Sequence, residues 1–534
     1  MPSVTELSPN ITRPGDRLGP SWEVLVLDYS HGGKIQRQPS PPQPRDGAFA
    51  SFCIKSIKTS LHVKNVENLA SPRAKVRDLA IKGRLSAGVK SSKNQREQLQ
   101  PLANMHSFNP VTLGRDISLN PTPFRAPTPS SPRVLVIGGG VTGLVTSWVL
   151  LDRGYHVTVV AKEWCSYGKG QRLTSQIAGA LWEYPPAVCG QHTDAISLHH
   201  SRRWSLQAYD IWAAIAADPD LSAESGVRMT RPTFFFREPL EENKVQYKKM
   251  LEIKQSNIQG FNRDANLILD RGVNPQSEAI DAYEHFAPMI DTDRAMAWLT
   301  EFVRAKGAEL ITETIHGDLL DQEDELRDRF DADVIINATG LASAELAGDK
   351  TCYPIRGGLI RVINDGKDFP KIRDPLIIAA EGANEIVFIV PRNENILLIG
   401  GCTEPHQWKL DLTLDSPIIQ RMRKRCEDFY PPLKNARLDP TYPLAQGLRP
   451  FRKRNVRVER ELRQRYVTVN GITRPKVSRI VHSYGQGGAG WSLSFGCAGD
   501  VALLVAEALQ DIPPQEMSRR RTGLKPTPTQ EARL

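Results

Sequence analysis

The feature that most constrains the fold is a stretch near residue 133, in which a strand, a glycine-rich turn, a helix and a second strand follow one another. Residues 134–137 form a continuous apolar run, as in a buried parallel strand, and residues 138–143 supply G-x-G-x-x-G. Apolar residues then recur at helical spacing, and residues 155–160 are rich in β-branched residues. Such a unit predicts a domain that binds a dinucleotide.

Each glycine of the turn has its own physical task. Gly138 permits the tight turn, Gly140 lets the backbone approach a pyrophosphate, and Gly143 lets the helix pack closely on the strand. Glu163 lies 20 residues after Gly143, where a carboxylate can accept a hydrogen bond from a ribose hydroxyl. Its neighbour Lys162 could instead suit a 2′-phosphate, although a solvated lysine is the simpler interpretation.

Length and composition limit the remaining possibilities. The chain has 534 residues, enough for two or three domains, with 40% hydrophobic and 24% charged residues. No apolar run in the sequence reaches the length of a membrane span. The 7 cysteines are scattered without a C-x-x-C pair, so neither a disulfide framework nor a zinc site is predicted. We therefore expect an intracellular protein without a metal site and without a membrane segment.

The net charge is concentrated at the N-terminus. Residues 1–130 contain 18 of the 69 basic and 9 of the 60 acidic side chains, which accounts for the whole net charge of +9. This region also contains proline-rich stretches, so we expect a disordered basic extension. It could be a targeting or anion-binding arm, and a dispensable extension or an incorrect start site is the simpler interpretation. Because the rest of the chain is neutral, nucleic-acid binding is not predicted for it.

A second glycine-rich loop lies near the other end of the chain. Gly485, Gly487, Gly488 and Gly490 precede a predicted helix that continues to Leu509. The N-terminus of that helix would again face an electron-rich group. Two such loops, from opposite ends of the folded region, predict one large cofactor that both of them hold.

Six sequence blocks follow one another along the folded region. They are VIGGGVTGL (136–144), TSQIAGALW (174–182), VIINATG (334–340), PIRGGLIRV (354–362), GLRPFR (447–452) and HSYGQGGAGWSLSFGCA (482–498). Together they resemble the D-amino-acid oxidase family, which folds around FAD, and the match extends over about residues 133–509. The resemblance implies an α/β fold: an FAD-binding Rossmann-like domain with a second, β-rich substrate domain.

The same resemblance implies the domain boundaries and the residues that hold FAD. The FAD-binding domain is expected at 131–190, 290–350 and 475–512, the substrate domain at 191–289 and 351–474, and a flexible tail at 513–534. The residues implied for the ADP part are Gly138, Gly140, Val141, Thr142 and Gly143, with Lys162, Glu163 and Ile315 near the adenosine. Those implied for the phosphates and the flavin are Thr174, Ser175, Gly179, Ala180, Leu181, Gly487, Gly488, Ala489, Gly490, Trp491 and Ser492.

Four residues are implied beside the substrate. Arg449 looks like the arginine that binds the substrate carboxylate through two parallel hydrogen bonds, although a structural ion pair is the alternative. Phe388 stands where many members have a tyrosine that helps to hold the substrate carboxylate. A phenylalanine has no hydroxyl group and cannot donate that hydrogen bond. Glu183 stands where animal enzymes usually have a neutral amide, and it could face a cationic substrate or pair with a surface arginine. Gly488 is the fourth residue that the resemblance places beside the substrate.

The resemblance implies an FAD-dependent oxidase of D-amino acids. Hydride would pass from the substrate Cα to flavin N5, and the products would be a 2-oxo acid, ammonia and, after reaction with oxygen, hydrogen peroxide. One alternative is a related oxidase of D-aspartate, glycine or a secondary amine. A nicotinamide-dependent dehydrogenase is another, which the second glycine-rich loop disfavours, and a non-enzymatic protein with a nucleic-acid-binding arm is a third.

The sequence ends in a tripeptide that resembles a targeting signal. A small residue, a basic residue and a leucine follow one another at 532–534 (Ala532, Arg533 and Leu534), as in the peroxisomal S-K-L signal. We therefore expect a peroxisomal enzyme, carried by an import receptor that binds this tripeptide, and a cytoplasmic enzyme otherwise.

Overall fold

The fold consists of two large sheets with helices packed against them. The computed structural model describes residues 116–168, 170–187, 195–378, 386–469 and 471–517. The predicted C-terminal tripeptide and most of the predicted extension lie outside these residues.

The strands, in chain order, are β1 Arg133–Ile137, β2 His156–Ala161, β3 Val227–Thr230, β4 Thr233–Phe236, β5 Asn262–Arg263, β6 Asp281–Glu284, β7 Ala287–Ile290, β8 Glu309–Thr312, β9 Val334–Asn337, β10 Cys352–Ile363, β11 Leu376–Ile378, β12 Val387–Pro391, β13 Ile396–Gly400, β14 Glu404–Pro405, β15 Leu444–Arg452, β16 Arg457–Arg460, β17 Arg465–Val469, β18 Ile472–Lys476 and β19 Ile480–Tyr484. The α-helices are α1 Val141–Asp152, α2 Thr174–Ile177, α3 Ala195–Ala217, α4 Pro219–Ser225, α5 Lys244–Gln255, α6 Leu267–Asp270, α7 Thr292–Ala305, α8 Glu323–Arg329, α9 Ser343–Leu346, α10 Pro417–Phe429 and α11 Gly490–Leu509. Short 3-10 helices occupy Pro275–Ser277, Gly340–Ala342 and Pro431–Asn435.

The first sheet is built around the unit that the sequence predicts. Its strand order is β16-β19-β9-β1-β2-β8, and all neighbours are parallel except β16 and β19. Val134 and Val136 of β1 pack with helices α1, α3, α7 and α11, whereas Leu135 and Ile137 pack on the opposite face with helices α8 and α9. The central strand is therefore buried on both faces, which explains its continuous apolar sequence.

The second sheet forms the β-rich part of the molecule. Its main path is β14-β10-β13-β12-β11-β4-β6-β5, and β15 pairs with β10. In β4, Phe235 faces a core that includes helix α10, and Phe234 and Phe236 face the opposite core. The mixture of a mostly parallel, helix-covered sheet and a β-rich sheet confirms the fold class that the sequence implies.

Helix α11 closes the first sheet. It is long and apolar enough to cross a membrane by length and composition, but 72% of its most apolar stretch is buried inside the protein. A Cβ on Gly496 would lie 2.2 Å from the Cα of Trp204, so helices α3 and α11 are in backbone contact there. The helix therefore serves as a core element of this fold.

Residues just before β1 also belong to the folded part. Ile117 is buried in the core around α1. The backbone N–H groups of Ser118 and Phe124 each donate to the Asp152 carboxylate at 2.9 Å. A buried carboxylate needs hydrogen-bond donors, and residues 118 and 124 supply two of them to Asp152. The folded region therefore begins before residue 130, where the sequence places the end of the extension.

Candidate active site

The functional site forms where the parallel strands end. Strands β1, β2, β8, β9 and β19 run in one direction, so their carboxyl ends share one edge of the sheet. The segments that follow them line a cavity of about 490 Å³. This is the position at which open α/β sheets bind ligands. The lining segments are 138–142, 162–163, 313–315, 338–342 and 486–492.

The first glycine-rich turn is compact for reasons that the structure makes explicit. Gly138 has φ +124°, and a Cβ there would lie 2.4 Å from the carbonyl oxygen of Ala338. A Cβ on Gly143 would lie 1.9 Å from the carbonyl oxygen of Gly138. Gly143 therefore packs behind the turn and does not line the cavity, whereas Gly138, Gly140, Val141 and Thr142 do.

The two glycine-rich loops meet at Ser175. The Val141 N–H donates to the Ser175 hydroxyl at 3.0 Å, and the Trp491 indole N–H donates to the Ser175 carbonyl at 2.9 Å. A Cβ on Gly490 would lie 3.5 Å from the Val141 side chain. Both loops therefore face one cavity, at the N-termini of α1 and α11, where anionic groups are stabilised.

A buried arginine that sequence reasoning missed shapes the middle of the cavity. Arg392 is 1% exposed, and its guanidinium donates to the carbonyl oxygens of Ala178 and, at 2.9 Å, Ile290. These bonds hold the turn at Ala180, which has φ +52° and lines the cavity. Burial lowers the pKa of Arg392 to about 10, so the group remains charged at neutral pH. No local pattern in the sequence distinguishes this arginine.

A hydrogen-bonded chain supports the lip of the cavity after β9. The Asn337 carboxamide oxygen accepts from the Thr339 N–H at 3.2 Å, and its NH₂ lies 3.3 Å from His482 Nδ1. His482 Nε2 lies 3.1 Å from the Glu461 carboxylate. Burial lowers the pKa of His482 to about 4, so a neutral ring that donates from Nε2 and accepts at Nδ1 fits both contacts. The histidine thus packs behind the loop.

Arg449 projects into the cavity from β15. A Cβ on Gly357 of the neighbouring strand β10 would lie 2.1 Å from Arg449 Nη1, so only glycine leaves room for the guanidinium. Nη1 donates to the Cys402 carbonyl at 3.2 Å. Within the described part of the chain, no carboxylate forms an ion pair with Arg449. The alternative of a structural ion pair is therefore not found among these residues.

Two arginines near Arg449 in sequence form ion pairs. Arg452 pairs with Asp349 at 2.8 Å, and Arg457 pairs with Glu459 at 2.8 Å. Arg449 is partly buried, and a guanidinium withdrawn from water without a carboxylate is costly unless a ligand compensates it. The cavity-facing position of Arg449 thus favours an anionic ligand group.

Phe388 packs against Gly179 and forms an apolar part of the cavity wall. Its ring lies where a side chain on Gly179 would be, because a Cβ there would lie 2.4 Å from the Phe388 Cζ atom. Leu181, Leu359 and Ile377 also line the cavity. This end of the cavity is therefore apolar apart from Arg449 and Glu183.

Glu183 has a partner that neither sequence alternative included. It lines the cavity, and its carboxylate accepts from Lys249 Nζ at 2.6 Å. Lys249 is 1% exposed, so this partner of Glu183 is a buried lysine. The lysine belongs to α5, 66 residues away in sequence, so no local pattern pointed to it.

The remaining sequence-predicted residues also line the cavity. They are Lys162, Glu163, Thr174, Ser175, Gly179, Leu181, Ile315, Gly487, Gly488, Ala489, Gly490, Trp491 and Ser492. Further lining residues that were not predicted include Glu313, Thr314, Gly357, Gly358, Ile386, Gly401 and Gln486. Glu313 and Thr314 follow β8, whose carboxyl end shares the sheet edge. Gly357 and Gly358 lie in the block at 354–362, and Gly401 lies in none of the six blocks.

The fold and the site together define an FAD-type dinucleotide-binding oxidoreductase. An elongated cavity runs from exposed Lys162 and Glu163, past two helix N-termini, to Phe388 and Arg449. Glycine at 140 and 490 leaves open the space beside these N-termini, as a pyrophosphate requires. The residues therefore fit FAD.

Comparison with known proteins identifies the family. The family model described as FAD dependent oxidoreductase (DAO) matches residues 133–504, and the chain belongs to this family. A D-amino-acid oxidase from Streptomyces coelicolor is 30% identical over 375 residues, which cover 70% of this chain and 96% of that protein. FAD is the cofactor, and the chain is a D-amino-acid-oxidase-like oxidoreductase.

Solved structures share the fold. Glycine oxidase from Bacillus cereus superposes with a TM-score of 0.51 at 16% identity, over 72% of this chain and 99% of that one. L-alpha-glycerophosphate oxidase from Mycoplasma pneumoniae, solved with FAD bound, gives a TM-score of 0.51 at 17% identity, over 71% and 95%. At this identity the two structures establish the architecture alone.

Proposed function

We propose that the protein oxidises D-amino acids to 2-oxo acids and ammonia and produces hydrogen peroxide. The observation that carries the proposal is Arg449, a cavity-lining guanidinium without a carboxylate partner in the described part of the chain, at the apolar end of a cavity that fits FAD. A guanidinium binds a carboxylate through two parallel hydrogen bonds, which fixes an amino acid in position and direction. The D-amino-acid oxidase relative supports the same substrate class.

The protein contributes orientation and exclusion of water. FAD, when bound, supplies the redox chemistry by accepting hydride from the substrate Cα at N5 and passing electrons to oxygen. Arg449 holds the substrate carboxylate, and Phe388 and Ile377 provide apolar surface around the substrate side chain. Holding the reacting groups in one geometry can account for much of the rate enhancement.

No side chain of the chain is assigned as a general base. Among the described residues that line the cavity, the charged ones are Lys162, Glu163, Glu183, Glu313 and Arg449. Lys162 and Glu163 follow β2 and Glu313 follows β8, at the end opposite Phe388. Glu183 is paired with a buried lysine. The substrate amine is therefore proposed to enter deprotonated from solvent.

Three measurements test the proposal. The purified protein should be yellow and should release FAD on denaturation. A panel of D- and L-amino acids, glycine and secondary amines, with peroxide as the readout, should give turnover with D-amino acids. Turnover confined to L-amino acids, glycine or secondary amines would instead favour a related amine oxidase.

Substitution of the proposed anchor gives the sharpest result. Arg449→Leu should raise KM by about 30- to 900-fold, which corresponds to roughly 2–4 kcal/mol for a substrate carboxylate left buried and unpaired. Its FAD content should stay normal. Lys453→Leu is the matched control, because Lys453 is an exposed basic residue just beyond the same strand. An unchanged KM for every substrate in Arg449→Leu would refute the assignment.

A further inference from the structure

The carboxylate of Glu183, which lines the cavity, forms an ion pair with the buried side chain of Lys249. Lys249 Nζ lies 2.6 Å from the Glu183 carboxylate and 2.9 Å from the Pro186 carbonyl oxygen. The lysine is 1% exposed, whereas the side chain of Glu183 is 15% exposed and lines the cavity. A ligand in the cavity therefore meets the carboxylate, and the lysine compensates its charge from behind.

The pair lies at the substrate end of the cavity. Trp182 and Tyr184, on either side of Glu183, pack in the same core cluster as Leu181, Ile377 and Phe388. Leu181, Ile377 and Phe388 line the cavity around the space assigned to the substrate side chain. Glu183 therefore lies near the space assigned to that side chain.

Among the described residues packed behind the pair, Tyr283 and His285 contribute no second positive charge. The ring centroid of Phe234 is 5.5 Å from Lys249 Nζ, and Tyr283 and His285 are fully buried beside it. Burial lowers the pKa of His285 to about 4, so it is neutral at physiological pH. Burial raises the pKa of Tyr283 well above its usual range, which keeps the phenol neutral as well. Lys249 is thus the cation in this set that offsets Glu183.

We propose that Lys249 is a specificity-determining residue, which cancels the charge of Glu183 so that the cavity does not favour ligands with cationic side chains. This inference rests on the proposed function, since it concerns the side chain of the same substrate. An uncompensated carboxylate at this wall would attract an ammonium group, and an uncompensated lysine would repel it. The charge state of the wall is therefore set from outside the cavity.

The experiment compares two ligands of equal shape and different charge. Hexanoate and 5-aminopentanoate differ only in a terminal methyl or ammonium group, and their binding to the FAD-loaded enzyme is followed by the visible spectrum of the flavin. Lys249→Met should increase the preference for 5-aminopentanoate at least about tenfold, because a charge pair a few ångströms apart supplies more than one decade of affinity. Glu183→Gln should shift the preference in the opposite direction.

Two further variants separate specificity from stability. The double variant Glu183→Gln with Lys249→Met restores a neutral wall and should return the preference to the wild-type value. Lys306→Met is the matched control, since Lys306 forms a buried pair with Asp152 at 2.6 Å and does not line the cavity. It should lower the melting temperature and leave the ligand preference unchanged.

The outcomes are distinct. Opposite shifts in the single variants and recovery in the double variant support the proposal. The proposal is overturned if both single variants lose stability to the same extent while the preference between the two ligands stays unchanged. It is also overturned if neither ligand changes the flavin spectrum in any variant. Turnover is measured in parallel with the full panel of D-amino acids, including D-norleucine and D-ornithine. A wild type that oxidises no D-amino acid of the panel but shows the expected binding shifts would remove the proposed function and leave the role of Lys249 intact.

Discussion

Gly357 allows the position of Arg449 to be tested while the arginine is retained. A Cβ at residue 357 would lie 2.1 Å from Arg449 Nη1 and 2.5 Å from both Cζ and Nη2. No carbon can approach a guanidinium so closely, so Gly357→Ala must move the charged group away from its present site. Residue 357 lies in β10 without a positive φ, so the backbone itself tolerates alanine.

The size of the effect follows from the contacts that are lost. If the displaced guanidinium keeps only one of its two hydrogen bonds to the substrate carboxylate, the loss is roughly 1.5–3 kcal/mol. That loss corresponds to an increase in KM of about 10- to 150-fold. FAD content should be unaffected, because Gly357 and Arg449 lie at the substrate end of the cavity.

The neighbouring glycine provides the control. Gly358 also lines the cavity, but a Cβ on it would point to the opposite side of the strand, 2.9 Å from the Ile419 Cδ1 atom in the core and away from Arg449. Gly358→Ala should therefore lower the free energy of unfolding by roughly 1–3 kcal/mol and leave KM nearly unchanged.

Steady-state kinetics with a D-amino acid and thermal unfolding distinguish the two variants. In an Arg449→Leu background, Gly357→Ala should have no further effect on KM, because the group that it displaces is already absent. A Gly357→Ala enzyme with wild-type KM, or with an undiminished effect in the Arg449→Leu background, would refute the placement of the anchor.

The remaining predictions concern the chain ends and acid stability. A chain that begins at Pro129 should unfold at least about 2 kcal/mol more easily than one that begins at Asp116, because Asp152 loses two backbone donors; equal urea midpoints would contradict this. Burial lowers the pKa of His482 from 6.5 to about 4, so unfolding takes up a proton between these values, and stability should fall as the pH drops through this window, by up to about 1.4 kcal/mol per pH unit. His482→Gln should flatten that slope, and an unchanged slope would exclude this origin. Deletion of residues 532–534 should move a tagged protein from peroxisomes to the cytosol, whereas an unchanged distribution would reject the targeting role.

Local sequence patterns were sufficient to predict the part of the molecule that holds the cofactor. The strand predicted at 134–137 is observed as Arg133–Ile137, because a doubly buried strand needs a continuous apolar run. The glycines of both loops are required by short-range geometry, which a spacing rule captures. The resemblance of the six blocks then implied FAD and the family, and both are confirmed.

Features that depend on distant partners were not predictable. Lys249 reads as a polar residue of a surface helix, and only the folded chain buries it against Glu183. Apolar residues between 227 and 236 predict one strand, but Pro232 lacks an N–H, and β3 and β4 enter different sheets on either side of it. Sequence could likewise not show that Arg452 pairs with Asp349, which lies 103 residues away, whereas Arg449 forms no ion pair with a carboxylate in the described part of the chain.

The meeting of the two glycine-rich loops at Ser175 has a consequence for biosynthesis. One wall of the FAD site comes from the first third of the chain, and the opposing wall, with helix α11, comes from its last tenth. During translation, the strand–helix–strand unit is made long before α11, and part of the apolar core around α1 stays incomplete until α11 has been synthesised. The complete cofactor site can therefore form only after residues 487–509 have been synthesised, so cofactor capture must follow the synthesis of that segment.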